Sequence, residues 1–202
     1  MVIEWFPFLS FVFITLITPG PNNISCATMG ITHGYRKTLP YILGIVGGVV
    51  MLMTGTGLMA GFVQQYLPRF ELILRVVGAG YILWLAYGIL RVNYQFDNNE
   101  NQAPLRFWQG IFLQIVNVKA IFFGLMIYTA FLTDFTNAWY LVLGSAIFFG
   151  CITFCFTSLW ALFGSLIRKY MHQPLIYRLV NLFMAGLLVY TALEISGIFS
   201  FR

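Results

Sequence analysis

Residues 16–28 read LITPGPNNISCAT, and this stretch interrupts what is otherwise a long apolar helix. Two prolines, a glycine and two asparagines fill the consecutive positions 19–23. Proline removes a backbone donor and clashes with the preceding turn, while glycine admits backbone conformations closed to other residues. The pattern predicts a helix that breaks at Thr18 and restarts at Ile24, with Asn22 and Asn23 capping the second half.

The composition of the chain is that of a membrane protein. Of its 202 residues, 60% are hydrophobic and 8% are charged, too few polar side chains to cover a soluble domain. A helix needs about 20 mostly apolar residues to cross a bilayer, and six segments qualify. They are Trp5–Met29, Leu39–Phe62, Leu72–Leu90, Phe107–Leu132, Trp139–Gly164 and Leu175–Phe199. We therefore predict an all-α membrane protein with six transmembrane helices in one domain, residues 1–202.

Basic residues predict how these spans are oriented. The opening MVIEWF lacks the basic region of a cleavable signal peptide, so the first span is expected to remain. Most basic residues fall in or beside connections 1–2, 3–4 and 5–6, which the positive-inside rule makes cytoplasmic, with both termini outside. They are Arg36, Lys37, Arg91, Arg106, Arg168, Lys169 and Arg178, against Arg69, Arg75 and Arg202 on the other side. Topology thus accounts for the net charge of +5 without a nucleic-acid partner.

The six spans divide into two triplets, residues 5–92 and 105–200. Because three crossings reverse the direction of entry, two triplets of the same fold would be inverted repeats. The place in span 4 that corresponds to the first break reads FLQIVNVKAIFFG, residues 112–124, where Asn117 is suited to cap a helix before Ala120. We therefore predict two inverted three-helix repeats, with broken helices 1 and 4 meeting near the membrane centre.

Broken helices at membrane depth have a physical consequence. Irregular backbone is tolerated there only where protein or a watery cavity satisfies it, so both breaks should face the bundle interior. Each restarted half-helix then directs a partial positive end inward, which suits a carboxylate. The alternative for the first break is a proline kink that merely lets helices pack. Lys119, about a dozen residues into span 4, marks a functional site by default, the alternatives being a structural partner or a neutral lysine.

The motifs of the chain resemble those of the LysE/RhtB family of amino-acid exporters. The resemblance rests on TPGPNN at 18–23, THGYRKT at 32–38, GIVGGVV at 44–50 and LRVVGAGYILWLAYGILR at 74–91. Most of the family carries Asn-Pro-Lys-Ala in span 4, whereas this chain has NVKA with Val118 in the proline position. With FWQGIFLQIVNVK at 107–119 and GLLVYTALEI at 186–195, the chain is most similar to the branch that exports cysteine and O-acetylserine.

The resemblance implies a secondary transporter that exports a small amino acid across the bacterial inner membrane, driven by the proton gradient. Carried over to this sequence, the expected substrate-binding residues are Thr18, Pro19, Gly20, Pro21, Asn22, Asn23, Gln114, Asn117 and Lys119. Val118 leaves two outcomes open for span 4: Asn117 kinks or caps it through its side chain, or the helix continues. Glu194 is the candidate proton carrier, with an interfacial acid as the alternative.

The remaining features favour packing over chemistry. Cys26, Cys151 and Cys155 are interpreted as small apolar residues, because no cluster of histidines or acids accompanies them. Two glycine pairs have the spacing of close helix contacts, within the subunit or at the seam of a homodimer. They are Gly44 with Gly48 and Gly57 with Gly61.

Three rival functions are weighed against export. An enzyme is not expected, and neither is a metal or cofactor, because His33 and His172 lie at connections and no aspartate pair lies in a span. A membrane thiol-electron carrier is disfavoured because Cys26 has no cysteine partner in span 4. An uncoupled amino-acid facilitator remains the main alternative.

Overall fold

The structure is a computed structural model. It describes residues 5–60, 104–170 and 173–196, together with the single positions 62, 76, 79, 80, 83, 84, 86, 87 and 90. The ordered elements of these residues are helical. The helices with described bounds are α1 (Trp5–Ile17), α2 (Pro21–His33), α3 (Tyr35–Leu58), α4 (Phe107–Val116), α5 (Val118–Met126), α6 (Trp139–Ile167) and α7 (Pro174–Ser196). A π-turn, Ile127–Phe131, and a 3₁₀ turn, Thr133–Asn137, join α5 to α6.

Within the residues that the structure describes, two helices are long and apolar enough to cross a membrane, namely α3 and α6, the latter continuing to Tyr170. A third crossing is provided by α4 and α5 with the π-turn, if the two bent segments count as one span. Their axes differ by 67°. Most of the predicted third span, residues 72–90, lies outside the described residues, as do Arg69, Arg75, Arg91, His172 and the terminal Arg202.

The chain leaves the helical path at both predicted positions. In the first span, α1 ends at Ile17 and α2 begins at Pro21, three residues earlier than the predicted restart at Ile24. The helix begins there because the fixed φ of proline is already helical, and its missing N–H would have no partner in a first turn. Gly20 is the N-cap, and among the described residues no side chain caps this end. The prediction that Asn22 and Asn23 cap α2 is therefore wrong, since both lie inside its first turn.

The second break occurs without the proline of the family pattern. Asn117 separates α4 from α5 with a non-helical ψ of 89°, and its side-chain oxygen accepts a hydrogen bond from the Ala120 N–H at 3.3 Å. This is the capping role predicted for Asn117. Val118, unlike the proline of the family pattern, keeps its backbone N–H. The break therefore lies at Asn117, whose side chain caps the helix that restarts there.

Glycines bring the helices into backbone contact at two crossings. A Cβ atom built on Gly44 of α3 would lie 1.9 Å from the Phe107 carbonyl oxygen, and one on Gly110 of α4 would lie 2.4 Å from that of Tyr41. The second crossing joins α2 to α6, where Gly30 faces Ala161 and Gly164 faces Ala27, each with a Cβ-to-oxygen distance of 2.1 Å. Contacts this close leave no room for any side chain.

The structure shows the role of three of the four glycines in the predicted pairs. Gly44 packs on α4, and a Cβ on Gly48 would lie 2.6 Å from Gln114 Cγ. A Cβ on Gly57 would lie 2.5 Å from a methyl carbon of Val142 on α6. All three glycines therefore serve packing within the subunit, while Gly61 lies outside the described residues.

The cysteines divide into two environments. Cys26 is fully buried in the apolar core, as the packing interpretation predicts. Cys151 and Cys155 are exposed on the outer face of α6, so for them that interpretation is wrong. Their spacing of one helical turn keeps both on the same side of α6 but does not direct them into the core.

Candidate functional site

A cleft lies where the two helix breaks meet. Its empty space, counted out to its open mouth and including open solvent, is about 540 Å³. Polar groups of both breaks line one part, and apolar side chains of α3, α5 and α6 line another. The lining residues are Thr15, Leu16, Thr18, Gly20, Pro21, Asn22, Asn23, Val49, Leu52, Met53, Asn117, Lys119, Ala120, Phe123, Thr153, Phe156 and Thr157.

Three amide side chains connect the two breaks. The Asn22 amide donates to Gln114 Oε1 at 3.1 Å, and Asn22 Oδ1 accepts from Gln114 Nε2 at 2.9 Å and from Asn117 Nδ2 at 2.8 Å. Gln114 and Asn117 are 1% and 2% exposed, so these bonds are shielded from solvent. Since a buried amide without partners is costly, this network fixes the position of α2 relative to α4 and α5.

Lys119 links the second break to the first. Its Nζ donates to the Thr18 carbonyl oxygen at 2.8 Å, at the C-terminal end of α1. That helix end carries partial negative charge, which favours an ammonium. The lysine therefore has a partner in the first break, which is one of the alternatives considered from the sequence. Gly20 makes this approach feasible, because a Cβ there would lie 2.9 Å from Lys119 Cδ.

The Asn23 side chain donates to two carbonyl oxygens at the C-terminus of α1. Its amide donates to Leu16 O at 2.8 Å and to Thr18 O at 3.1 Å, so it covers the C-terminus of α1 rather than the N-terminus of α2. The first-turn N–H groups of α2 lack intrahelical acceptors, and no side chain caps them. The cleft therefore combines a cation with the positive end of a helix.

The charge of the cleft is one-sided. Among the described residues that line it, Lys119 is the only ionisable side chain. The other polar groups are threonine hydroxyls and asparagine amides. This arrangement can bind an anionic group and would repel an additional cation.

The structure brings most of the predicted site residues to the cleft. Seven of the nine line it, whereas Pro19 and Gln114 are not in the lining. Pro19 is buried in the first break, and Gln114 lies behind Asn22. The backbone of Glu194 belongs to α7, but its side chain lies outside the described residues.

The sequence analysis missed the side of the cleft that α3 and α6 form. Val49, Leu52 and Met53 line it from α3, and Thr153, Phe156 and Thr157 line it from α6. The available signal was the pair Thr153 and Thr157, two hydroxyls one helical turn apart in a largely apolar span.

Replacing Asn117 by alanine tests the second break. The change removes the cap of α5 and the bond to Asn22, so we expect the free energy of unfolding to fall by about 0.5–2 kcal/mol. Thermal unfolding of the purified protein measures this loss. Asn137→Ala is the matched control, because Asn137 is exposed and should contribute less than about 0.5 kcal/mol. Equal unfolding midpoints for the two variants would contradict the capping role.

Comparison with known proteins gives one family. A family model described as LysE type translocator matches residues 13–196. A cysteine/O-acetylserine efflux protein from Salmonella choleraesuis (strain SC-B67) is 34% identical over 189 residues, which are 93% of this chain and 95% of that protein. Proteins of the same name from Klebsiella pneumoniae subsp. pneumoniae and from Escherichia coli O1:K1 / APEC are each 32% identical to this chain. Both alignments cover 93% of this chain, and they cover 94% of the Klebsiella protein and 95% of the Escherichia coli protein. No solved structure gives a significant match.

Proposed function

The chain belongs to the LysE type translocator family, and from this premise we propose that it exports a small neutral amino acid through the cleft between its two helix breaks. The observation that carries the proposal is the chemistry of the lining, in which the Lys119 ammonium lies beside the N-terminus of α2. An amino acid supplies the carboxylate that this arrangement suits.

The proposed substrates are cysteine, O-acetylserine or an amino acid of similar size. The relatives named for efflux of cysteine and O-acetylserine align over nearly the whole chain, including both breaks. Both compounds are small zwitterions, whose side chains would meet the apolar part of the lining formed by Val49, Leu52 and Met53. Amino acids with a cationic side chain are disfavoured, because Lys119 would repel the added charge.

The nine residues predicted for the substrate site have three proposed roles. Lys119 and the N-terminus of α2, from Gly20 to Asn23, bind the carboxylate. Asn117 and Gln114 hold the two breaks together through Asn22. Thr18 offers its carbonyl to Lys119, and Pro19 and Pro21 enforce the break that makes this carbonyl available.

We propose the membrane arrangement of six spans in two inverted repeats, about 5–92 and 105–200, with both termini outside. Reciprocal packing supports the repeats: α2 of the first triplet packs on α6 of the second, and α4 of the second packs on α3 of the first. Arg168 lies beside Gly34, so connections 1–2 and 5–6 share one end of the bundle, as the distribution of basic residues requires.

Coupling to the proton gradient is part of the proposal, with Glu194 as the candidate carrier. An uncoupled facilitator is the alternative. A thiol-electron carrier receives no support, since Cys26 is buried while Cys151 and Cys155 are exposed on a different helix.

A counterflow experiment tests the function and its alternative together. Proteoliposomes loaded with unlabelled cysteine, O-acetylserine, alanine, threonine or lysine are assayed for uptake of the same labelled compound, with and without an imposed pH gradient. We expect counterflow of one or more small neutral amino acids, accelerated by the gradient, and none of lysine. Specific counterflow that ignores the gradient would favour the facilitator, and no counterflow of any amino acid would contradict the proposal.

A further inference from the structure

Thr153 of α6 is a buried threonine whose hydroxyl makes no hydrogen bond within the part of the chain that the structure describes. It is 4% exposed and lines the cleft. Helical threonines commonly donate to the carbonyl four residues earlier. The other buried threonines follow that pattern, Thr38 donating to Gly34 O at 2.9 Å and Thr157 donating to Thr153 O at 2.7 Å.

The Thr153 hydroxyl is accessible from open space at the cleft. Among the described residues, every fully buried side-chain nitrogen or oxygen has a hydrogen-bond partner. The Thr153 oxygen has no hydrogen-bond partner, so it is not fully buried and must reach open space. The open space that Thr153 lines is the cleft. A buried hydroxyl that gives up the bond to its own helix is positioned for a partner from outside the protein.

A zwitterionic substrate needs such a group. Its α-ammonium must find oxygen acceptors, and no carboxylate stands in the described lining. Three acceptors at the two helix breaks already receive protein donors. Thr18 O receives Lys119 and Asn23, Asn22 Oδ1 receives two amides, and Asn117 Oδ1 receives the Ala120 N–H.

We propose that the Thr153 hydroxyl accepts a hydrogen bond from the α-ammonium of the exported amino acid. The inference rests on the proposed function and extends it, because it gives the two charged groups of the substrate separate binding partners. Lys119 on α5 binds the carboxylate, and Thr153 on α6 binds the ammonium. Selection of amino acids over carboxylic acids of the same size follows from this second contact.

Replacing Thr153 by valine, which has the same shape without the hydroxyl, tests the proposal. The assay is inhibition of labelled-cysteine counterflow by unlabelled cysteine and by 3-mercaptopropionate, its analogue without the amino group. We expect Thr153→Val to raise the inhibitory concentration of cysteine roughly ten- to a hundredfold, the effect of a hydrogen bond to a charged group. The inhibitory concentration of 3-mercaptopropionate should stay unchanged, and Thr153→Ser should restore that of cysteine.

Two further measurements separate binding from folding. Thr153→Val should not lower the thermal unfolding midpoint, because the hydroxyl has no partner in the described fold. Thr38→Val is the matched control: it removes a buried hydroxyl outside the cleft and should leave the inhibition by cysteine unchanged.

The outcomes distinguish this inference from the function on which it rests. If the wild-type protein gives counterflow and Thr153→Val leaves the inhibitory concentration of cysteine unchanged, the proposed role of Thr153 is overturned and the proposed export function is not affected. Equal weakening of cysteine and 3-mercaptopropionate, or a clear loss of stability, would show a structural role instead. If the wild-type protein gives no counterflow of cysteine or of any other amino acid in the panel, both proposals fail.

Discussion

Replacing Lys119 by methionine should lower amino-acid export at least tenfold while the protein still folds. The ammonium is the only ionisable group in the described lining of the cleft, and we assign it to the substrate carboxylate. A charge-assisted hydrogen bond contributes about 1.5–3 kcal/mol, which corresponds to roughly ten- to a hundredfold in affinity. Counterflow of the transported amino acid in proteoliposomes measures the loss.

The stability of the Lys119→Met variant is a separate expectation. From the sequence, the removal of Lys119 is expected to leave folding largely intact. The structure shows that Lys119 donates to Thr18 O, so a modest fall in the unfolding midpoint is expected. The fall stays modest because Asn23 also donates to this carbonyl.

Lys37→Met is the matched control for charge and side-chain length. Lys37 is exposed near the start of α3, outside the cleft, and its replacement should leave counterflow unchanged. Normal transport by Lys119→Met would remove the lysine from the pathway. Complete unfolding of that variant would make its role structural.

Of the variants proposed here, Gly44→Ala should show the largest fall in the free energy of unfolding. The added methyl group would lie 1.9 Å from the Phe107 carbonyl oxygen, so α3 and α4 must separate. Overpacking costs about 1–3 kcal/mol, and we expect about 3 kcal/mol here because backbone cannot move aside as a flexible side chain can. For a chain of this size that is a fall of about 6–12 °C in the unfolding midpoint.

Gly55→Ala in the same helix is the control for Gly44→Ala. No atom of the described residues lies within 4 Å of a Cβ at Gly55, and alanine is the better helix former by about 0.5–1 kcal/mol. The midpoint of this variant should stay equal or rise. A fall as large as that of Gly44→Ala would mean that the loss comes from glycine flexibility rather than from the helix crossing.

Sequence reasoning located both breaks because their chemistry is local. Proline and glycine at 19–21 exclude a continuous helix, and Asn117 has a side chain that can cap one. Its errors concern partners distant in sequence. Asn23 was predicted to cap its own helix, but it donates to carbonyls of α1, a contact that depends on how the two half-helices are placed.

The α6 side of the cleft was not predictable from the same signals. Searches for broken or charged spans overlook Thr153, because a threonine in an apolar helix normally satisfies its hydroxyl within that helix. Only the packing of α6 against α2 and α3 brings this residue to the cleft. The family resemblance, by contrast, depends on contiguous motifs, and the match over residues 13–196 confirms it.

The central claim is that the cleft between the breaks binds the substrate carboxylate at Lys119. A ligand that binds only the folded protein raises its unfolding midpoint, so binding can be measured even in a variant that does not transport. The decisive measurement is this shift for wild type and Lys119→Met, with the transported amino acid and with its decarboxylated amine. We expect a clear rise only for wild type with the amino acid. An equal rise with the amine, or an unchanged rise in Lys119→Met, would contradict the claim.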